Sequence, residues 1–265
     1  MDEQARRIEA VEAAAFASLG RAGDGLKDLG LRQQFIDGAL VSAASGDPHF
    51  LINRVIGLGV NAPATTETIR AFKNIFAAAG SERYFVHVHG DSHPSNLKTL
   101  LEDAGLNAHR RWMTFVQNGK APPPSGSDLE VRRIDSEHGE DFGRIVADSF
   151  DFAEPTVAAL ARLAERPGWS IYMGFADGQP AAAGALFVHE GTAWCDFGAT
   201  SKDFRRRGGQ RAMLGVRVQA ALDMGCDLIA TETGEAVEGD AQHSYHNIQW
   251  AGFEEAYLRD NYVPA

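Results

Sequence analysis

The chain has 265 residues, 44% hydrophobic and 23% charged, with 25 Lys and Arg against 36 Asp and Glu, a formal charge of −11. That length supports a sizeable core and two domains, and the acidic balance argues against a broad grip on nucleic acid or anionic lipid. Cys195 and Cys226 give neither a zinc spacing nor a disulfide framework, and no apolar run reaches membrane-spanning length. The expectation is a cytoplasmic protein, monomer or homodimer, with no nucleic-acid and no membrane partner.

In chain order, the first twenty residues, "MDEQARRIEAVEAAAFASLG", read as an amphipathic helix and lack the apolar stretch of a signal peptide. "LRQQFIDGALVSA" (31–43) offers a second helical pattern, and "FLINRVIGLGV" (50–60) a β-branched strand. Pro63 and a Thr65 cap precede a helix whose apolar face carries Ile69, Phe72, Ile75 and Phe76, stopped by Gly80. A strand (83–89), a helix (94–105) and a strand (110–117) follow. The Pro-, Gly- and Ser-rich "NGKAPPPSGSD" (118–128) is the clearest linker.

The second half begins with a strand at 129–134 and two short helices. Three antiparallel strands, 169–176, 180–189 and 191–200, are joined by "ADGQP" and "EG", where glycine accepts positive φ. A helix with a predicted buried stripe at Met213, Val216, Ala220 and Met224 leads to a strand (226–233), a helix (242–252) and a final strand. "LLEDAGLNAHRRWMTF" (100–115) and "NIQWAGFEEAYLRDNY" (247–262) echo each other as helix, Ala-Gly stop and strand, which supports two similar domains.

The densest chemical signal is "DFRRRGGQRAML" (203–214), which gathers Arg205, Arg206, Arg207 and Arg211 around Gly208 and Gly209 in an acidic chain. It falls between a strand and a helix, where unpaired backbone N–H groups and the positive helix end favour an anion. Glycines allow close backbone approach and arginines give bidentate phosphate contacts. No Gly-Lys-Ser/Thr ends the segment, so it is not a P-loop. The alternative is a solvated charged corner.

In its context, "ATSKDFRRRGGQRAML" resembles the acetyl-CoA-binding segment of the GNAT family of N-acetyltransferases. Arg205, Gly208 and Gln210 occupy its Arg/Gln-x-x-Gly-x-Gly/Ala signature, the last with Gln in place of Gly or Ala. The resemblance covers about 129–263. It implies an α/β (α+β) fold of two GNAT-like acyl-CoA N-acyltransferase domains, each a mixed, mostly antiparallel sheet flanked by helices. Residues 1–120 would form a degenerate first copy and 129–265 the acetyl-CoA-binding domain. It further implies transfer of acetyl from the co-substrate acetyl-CoA to an amine-bearing acceptor of open identity, with no metal. Phe197, Gly198, Ala199 and Thr200, on a strand splayed from its neighbour, would hold pantetheine and stabilise an oxyanion. Arg205, Arg206, Arg207, Gly208, Gly209, Gln210 and Arg211 would hold the phosphates, and Ser244 and Asn247 would contact CoA or stabilise their helix. Asp196 and Glu232 are the candidate bases. The family's usual tyrosine position holds Ile248, which leaves Tyr245 as the nearest candidate acid.

Two other readings compete. His87, His89, Asp91 and His93 form H-x-H-x-D-x-H and would serve a metal-dependent hydrolase. A non-catalytic acyl-CoA-binding protein would explain Gln210 and Ile248. "GLGVNA" (57–62) imitates a dinucleotide fingerprint, but Pro63 and Thr65 start the helix too late for one.

Overall fold

The computed structural model describes residues 1–20 and 27–265. In chain order it holds α1 (Glu3–Leu19), β1 (Leu31–Ile36), β2 (Ala39–Ala44), β3 (Arg54–Ile56), α2 (Thr66–Ala79), β4 (Phe85–Val88), α3 (Leu97–Asp103) and β5 (Leu106–Gln117). These are followed by β6 (Glu130–Ile134), α4 (Gly139–Phe150), α5 (Glu154–Ala161), β7 (Trp169–Ala176), β8 (Gln179–His189) and β9 (Thr192–Thr200). The chain ends with α6 (Gly209–Asp223), β10 (Leu228–Gly234), α7 (His243–Trp250) and β11 (Glu254–Pro264). It divides into two compact units, residues 1–113 with 257–265 and residues 114–256, so the division falls within β5 and β11. No helix among the described residues is long and apolar enough to cross a membrane.

In the first unit β1, β2, β3, β4 and β11 lie side by side in that order. The helix expected over 31–43 is a β1–β2 hairpin instead, in register from Leu31↔Ala44 to Ile36↔Ala39. Asp37 and Gly38 take φ of 48° and 81°, the left-handed pair of a two-residue hairpin turn. The strand expected over 50–60 shrinks to Arg54–Ile56. Before it, the Asn53 side chain donates to the carbonyls of Asp47 and His49; after it, Gly57 and Gly59 have φ of 79° and 74°. Phe72 and Phe76 of α2 do face the apolar core, with Val41, Val55 and Val86.

A buried ionic group ties α1 to this unit. Glu12 receives Arg54 at 3.0 Å and is paired with Arg259, while Glu9 lies 3.4 Å from Arg259 and accepts a bond from Tyr257 Oη at 2.9 Å. Burial raises the Glu9 pKa, and Arg259 opposes that rise. Beside it His87 is 1% exposed, with Nδ1 2.7 Å from Asn261 Oδ1. Asn261 Nδ2 donates to Arg110 O at 2.8 Å, which points its oxygen at His87 and makes Nδ1 the protonated nitrogen. Burial, then Arg259 and Arg54, push the His87 pKa well below its ordinary 6.5. His89 stacks edge-on to Tyr257, and Asp91 faces the chain's amino terminus at 3.2 Å. Thus His87, His89, Asp91 and His93 do not converge: among the described residues no three His, Cys, Asp or Glu could hold a metal.

In the second unit β10, β9, β8, β7 and β6 are neighbours in that order; β9 and β10 pair parallel, and the β9–β8, β8–β7 and β7–β6 pairs are antiparallel. Both expected hairpin turns form, with Asp177 and Gly178 at φ 51° and 77° and Glu190 and Gly191 at 48° and 74°. The buried stripe expected on α6 is displaced. Ala212, Met213, Leu214, Arg217, Val218 and Ala221 face inward, whereas Val216 and Ala220 are partly exposed and Met224 is 48% exposed. The inner face thus includes a charged residue, Arg217, 2% exposed, which apolar spacing alone does not reveal.

An unfolded chain takes up the His87 proton below about pH 6.5 while the native one resists it. The stability gained from neutral His87 is therefore complete above that pH and is lost as pH falls towards the depressed native pKa. Denaturant unfolding of the first unit should weaken by up to about 1.4 kcal/mol per pH unit in that window. His87→Gln should remove this component of the slope; an unchanged slope would contradict a neutral buried imidazole.

Candidate functional site

The site begins with an irregularity in β9. Its register against β8 passes from Ala183↔Ala199 to Ala185↔Asp196, so β9 advances three residues against two. The extra residue is a bulge, with Phe197 at φ 49°. On the other edge, the parallel pairing with β10 runs from Leu228↔Thr192 to Ala230↔Trp194. Thr231 Oγ1 then donates to Cys195 O at 2.9 Å, which leaves Phe197–Thr200 beyond the ladder. The β10 side of Phe197–Thr200 is therefore unpaired in the β9–β10 ladder, while Ala199 and Thr200 stay paired with β8.

Arg217 sits beneath the bulge. Its Nε donates to Met213 O at 2.8 Å, and Nη1 donates to Asp196 O at 2.8 Å and Ala185 O at 3.3 Å. Burial lowers its pKa, and nearby Cys195 and Asp196 oppose that shift. Gly184 and Gly198 make the room: a Cβ on either would lie 3.0–3.1 Å from the guanidinium. Asp196 also belongs to the bulge. Its carboxylate accepts from Phe197 N at 2.7 Å and Trp194 Nε1 at 3.1 Å. The carboxylate thus fixes the strand and does not line the cavity.

Beyond Thr200 a 3₁₀ turn (Lys202–Phe204) carries the chain to Arg206 at φ 66° and Gly208 at φ 74°, and α6 starts at Gly209. No side chain caps this helix; its first intrahelical bond is Ala212 N to Gly208 O, 2.9 Å. The N–H groups of the first turn thus have no carbonyl one turn earlier. A Cβ on Gly209 would lie 3.1–3.2 Å from Thr200 and Ala182, so glycine lets the helix start seat against the strands.

A cavity of about 720 Å³ opens here, lined by Gly198, Ala199, Thr200, Arg205, Arg206, Gly208, Gly209, Gln210 and Arg211 together with Ser244 and Asn247. The sequence-derived cofactor residues therefore converge, with two exceptions. Phe197 is 5% exposed, with its ring 6.0 Å from Trp169, and does not line the cavity. Arg207 is absent from the wall and is bound instead to Asp128, its Nε 3.1 Å from both carboxylate oxygens. Gln210 and Arg211 join α6 to α7. Gln210 donates to Ser244 Oγ at 3.0 Å and accepts from Asn247 Nδ2 at 2.7 Å, while Arg211 Nε donates to Asn247 Oδ1 at 2.9 Å. Gln210 is thus accommodated because its side chain turns to α7.

The remaining proton-transfer candidates fall outside the wall. Tyr245 is buried, donates to Glu255 Oε1 at 2.6 Å and stacks edge-on to Phe115. Burial and Glu255 push its pKa up to about 12. On α7, His243, Ser244 and Asn247 face the cavity, whereas Tyr245 and Ile248 face the core. Glu232 is partly exposed on β10 and does not line the cavity. Sequence reasoning missed four wall residues: Ser125, Ser149, Phe150 and His243. Ser125 lay in the supposed linker, and His243 stood two residues from the favoured tyrosine without a motif to mark it.

The first unit has a junction of the same connectivity, β3 to α2 to parallel β4. There the helix start is already filled. Thr65 and Thr68 form a capping box, and Thr68 donates to the Asp37 carboxylate at 2.6 Å. His93 N donates to Gly59 O at 2.8 Å and its carbonyl accepts from Ala64 N at 2.9 Å.

No family model matches the sequence, and no curated protein matches it significantly. Solved structures do. A GCN5-related N-acetyltransferase from Kribbella flavida matches over all of this chain and 96% of its own, at 16% identity and TM-score 0.67. A GCN5-related N-acetyltransferase from Sphaerobacter thermophilus matches over 97% and 90%, at 14% identity and TM-score 0.59. An acetyltransferase from the GNAT family of Colwellia psychrerythraea matches over 100% and 98%, at 13% identity and TM-score 0.53. What the chain shares with these three is the GNAT fold.

Arg217→Met should lower stability by about 2–4 kcal/mol, because three carbonyls lose a buried charged donor. It should also let Phe197–Thr200 exchange amide hydrogen faster. Unaltered exchange in that segment would show that the bulge stands without Arg217.

Proposed function

We propose that the protein is an acetyl-CoA-dependent N-acetyltransferase whose cofactor site is the cavity between the β9 bulge and the start of α6. The observation that carries this reading is the convergence of three features on one wall. Strand backbone at Gly198–Thr200 lies beyond the β10 pairing, an uncapped helix start lies at Gly209, and Arg205 and Arg206 flank it. The fold shared with acetyltransferases supports the same reading.

Bound acetyl-CoA would supply an activated acetyl thioester for transfer to an amine. The first-turn N–H groups of α6, with Arg205 and Arg206, would hold its diphosphate. Backbone groups of Gly198–Thr200 would orient the pantetheine, and an N–H there would polarise the thioester carbonyl. His243 brings an imidazole to the wall and would accept the acceptor's proton. A thiol with pKa near about 8.5 leaves readily, so the distance of Tyr245 from the cavity is no obstacle. The first unit would be a degenerate, non-binding copy, because Asp37 and the Thr65–Thr68 box fill the place of an anion.

Calorimetric titration with acetyl-CoA should show binding at about micromolar affinity, weakened more than about tenfold by Arg205→Glu with Arg206→Glu. Absence of binding would overturn the cofactor reading. With an accepting amine in hand, His243→Gln should lower kcat by about a hundredfold and leave acetyl-CoA affinity unchanged. Tyr245→Phe should leave turnover unchanged, and a hundredfold loss there would return the phenol to the mechanism. Binding without turnover on any amine of a broad panel would favour the non-catalytic acyl-CoA-binding protein.

A further inference from the structure

Residues 122–128, which the sequence presents as a linker, lie against the Arg-Gly turn. Ser127 Oγ donates to Arg207 O at 2.7 Å and accepts from Leu129 N at 3.3 Å. Asp128 is bound by the Arg207 guanidinium through both carboxylate oxygens. A Cβ on Gly208 would lie 3.2 Å from Ser127 Cβ and 3.5 Å from Ser125 O, and one on Gly215 3.9 Å from Pro122. Gly208 thus serves the segment as well as the turn: its φ of 74° and its missing side chain both let the chain pass.

We propose that this segment is part of the cofactor site, with Ser125 donating a hydrogen bond to the diphosphate of the bound acyl-CoA and Arg207 acting as its positioning residue. The proposal rests on the cofactor reading above and deepens it. Ser125 lines the same cavity as Arg205, Gly208 and Gly209. Its Oγ accepts from Ser127 N at 3.3 Å, which occupies a lone pair and leaves the hydroxyl proton to donate. A neutral donor suits this place, since Arg205, Arg206 and Arg211 already supply positive charge to the wall. Arg207 then acts at one remove. It anchors the segment through Asp128 and its own carbonyl and does not touch the ligand.

The test titrates the full chain with acetyl-CoA and with S-acetylpantetheine, which lacks the diphosphate and the nucleotide. Ser125→Ala should raise the Kd for acetyl-CoA about tenfold and leave that for S-acetylpantetheine unchanged, and Ser125→Thr should restore affinity. Asp128→Asn, which loosens the anchor, should shift the same ligand in the same direction with Ser125 intact. Wild-type affinity for acetyl-CoA in Ser125→Ala, or an equal loss for both ligands, would overturn the proposal while the cofactor reading stands. A wild type that binds neither ligand would overturn the cofactor reading and the proposal with it.

Discussion

The candidate site depends on one buried cation. Arg217 projects from α6 into the β8–β9 interface and collects carbonyls from its own helix and from both strands. A guanidinium in that place cannot remain without acceptors, and it finds them at Met213, Ala185 and Asp196. The extra residue in β9 turns the Asp196 carbonyl inward and satisfies the charge. The same distortion takes Gly198–Thr200 off the β10 ladder and leaves backbone groups for a ligand. Gly184 and Gly198 leave the space that this side chain occupies.

The two strand-to-helix junctions show how similar connectivity can be open or closed. In the second unit the helix start has no side-chain cap, sits on Gly209 against Thr200, and is flanked by arginines. In the first unit a threonine box, an aspartate and the His93 backbone take those positions. A helix N-terminus favours negative charge whatever its source. Where Asp37 and Thr65 supply it from within the chain, the junction is a structural corner. Where the chain supplies glycine and arginine, it is suited to an external phosphate.

Much of this was legible in the sequence, for identifiable reasons. Asp-Gly and Glu-Gly pairs marked the β7–β8 and β8–β9 turns, and the Arg-Gly cluster marked the cavity. The same Asp-Gly signal at Asp37-Gly38 was overridden by an apparent helical period over 31–43, although a turn pair outweighs a short periodicity. Apolar spacing alone mis-phases the α6 stripe, because it hides a buried arginine. Charge alone groups Arg207 with its neighbours, yet Asp128, distant in sequence, holds its guanidinium. Proximity along α7 points to Tyr245, whereas helical phase puts it on the opposite face from His243. Local chemistry was readable, whereas the direction of a side chain required its long-range partner.

The most direct measurement is a crystal structure of the protein grown with CoA. The account predicts the diphosphate within hydrogen-bonding distance of the Gly209–Arg211 amides, and pantetheine running along Gly198–Thr200. CoA seated elsewhere, or an empty cavity at saturating ligand, would contradict it.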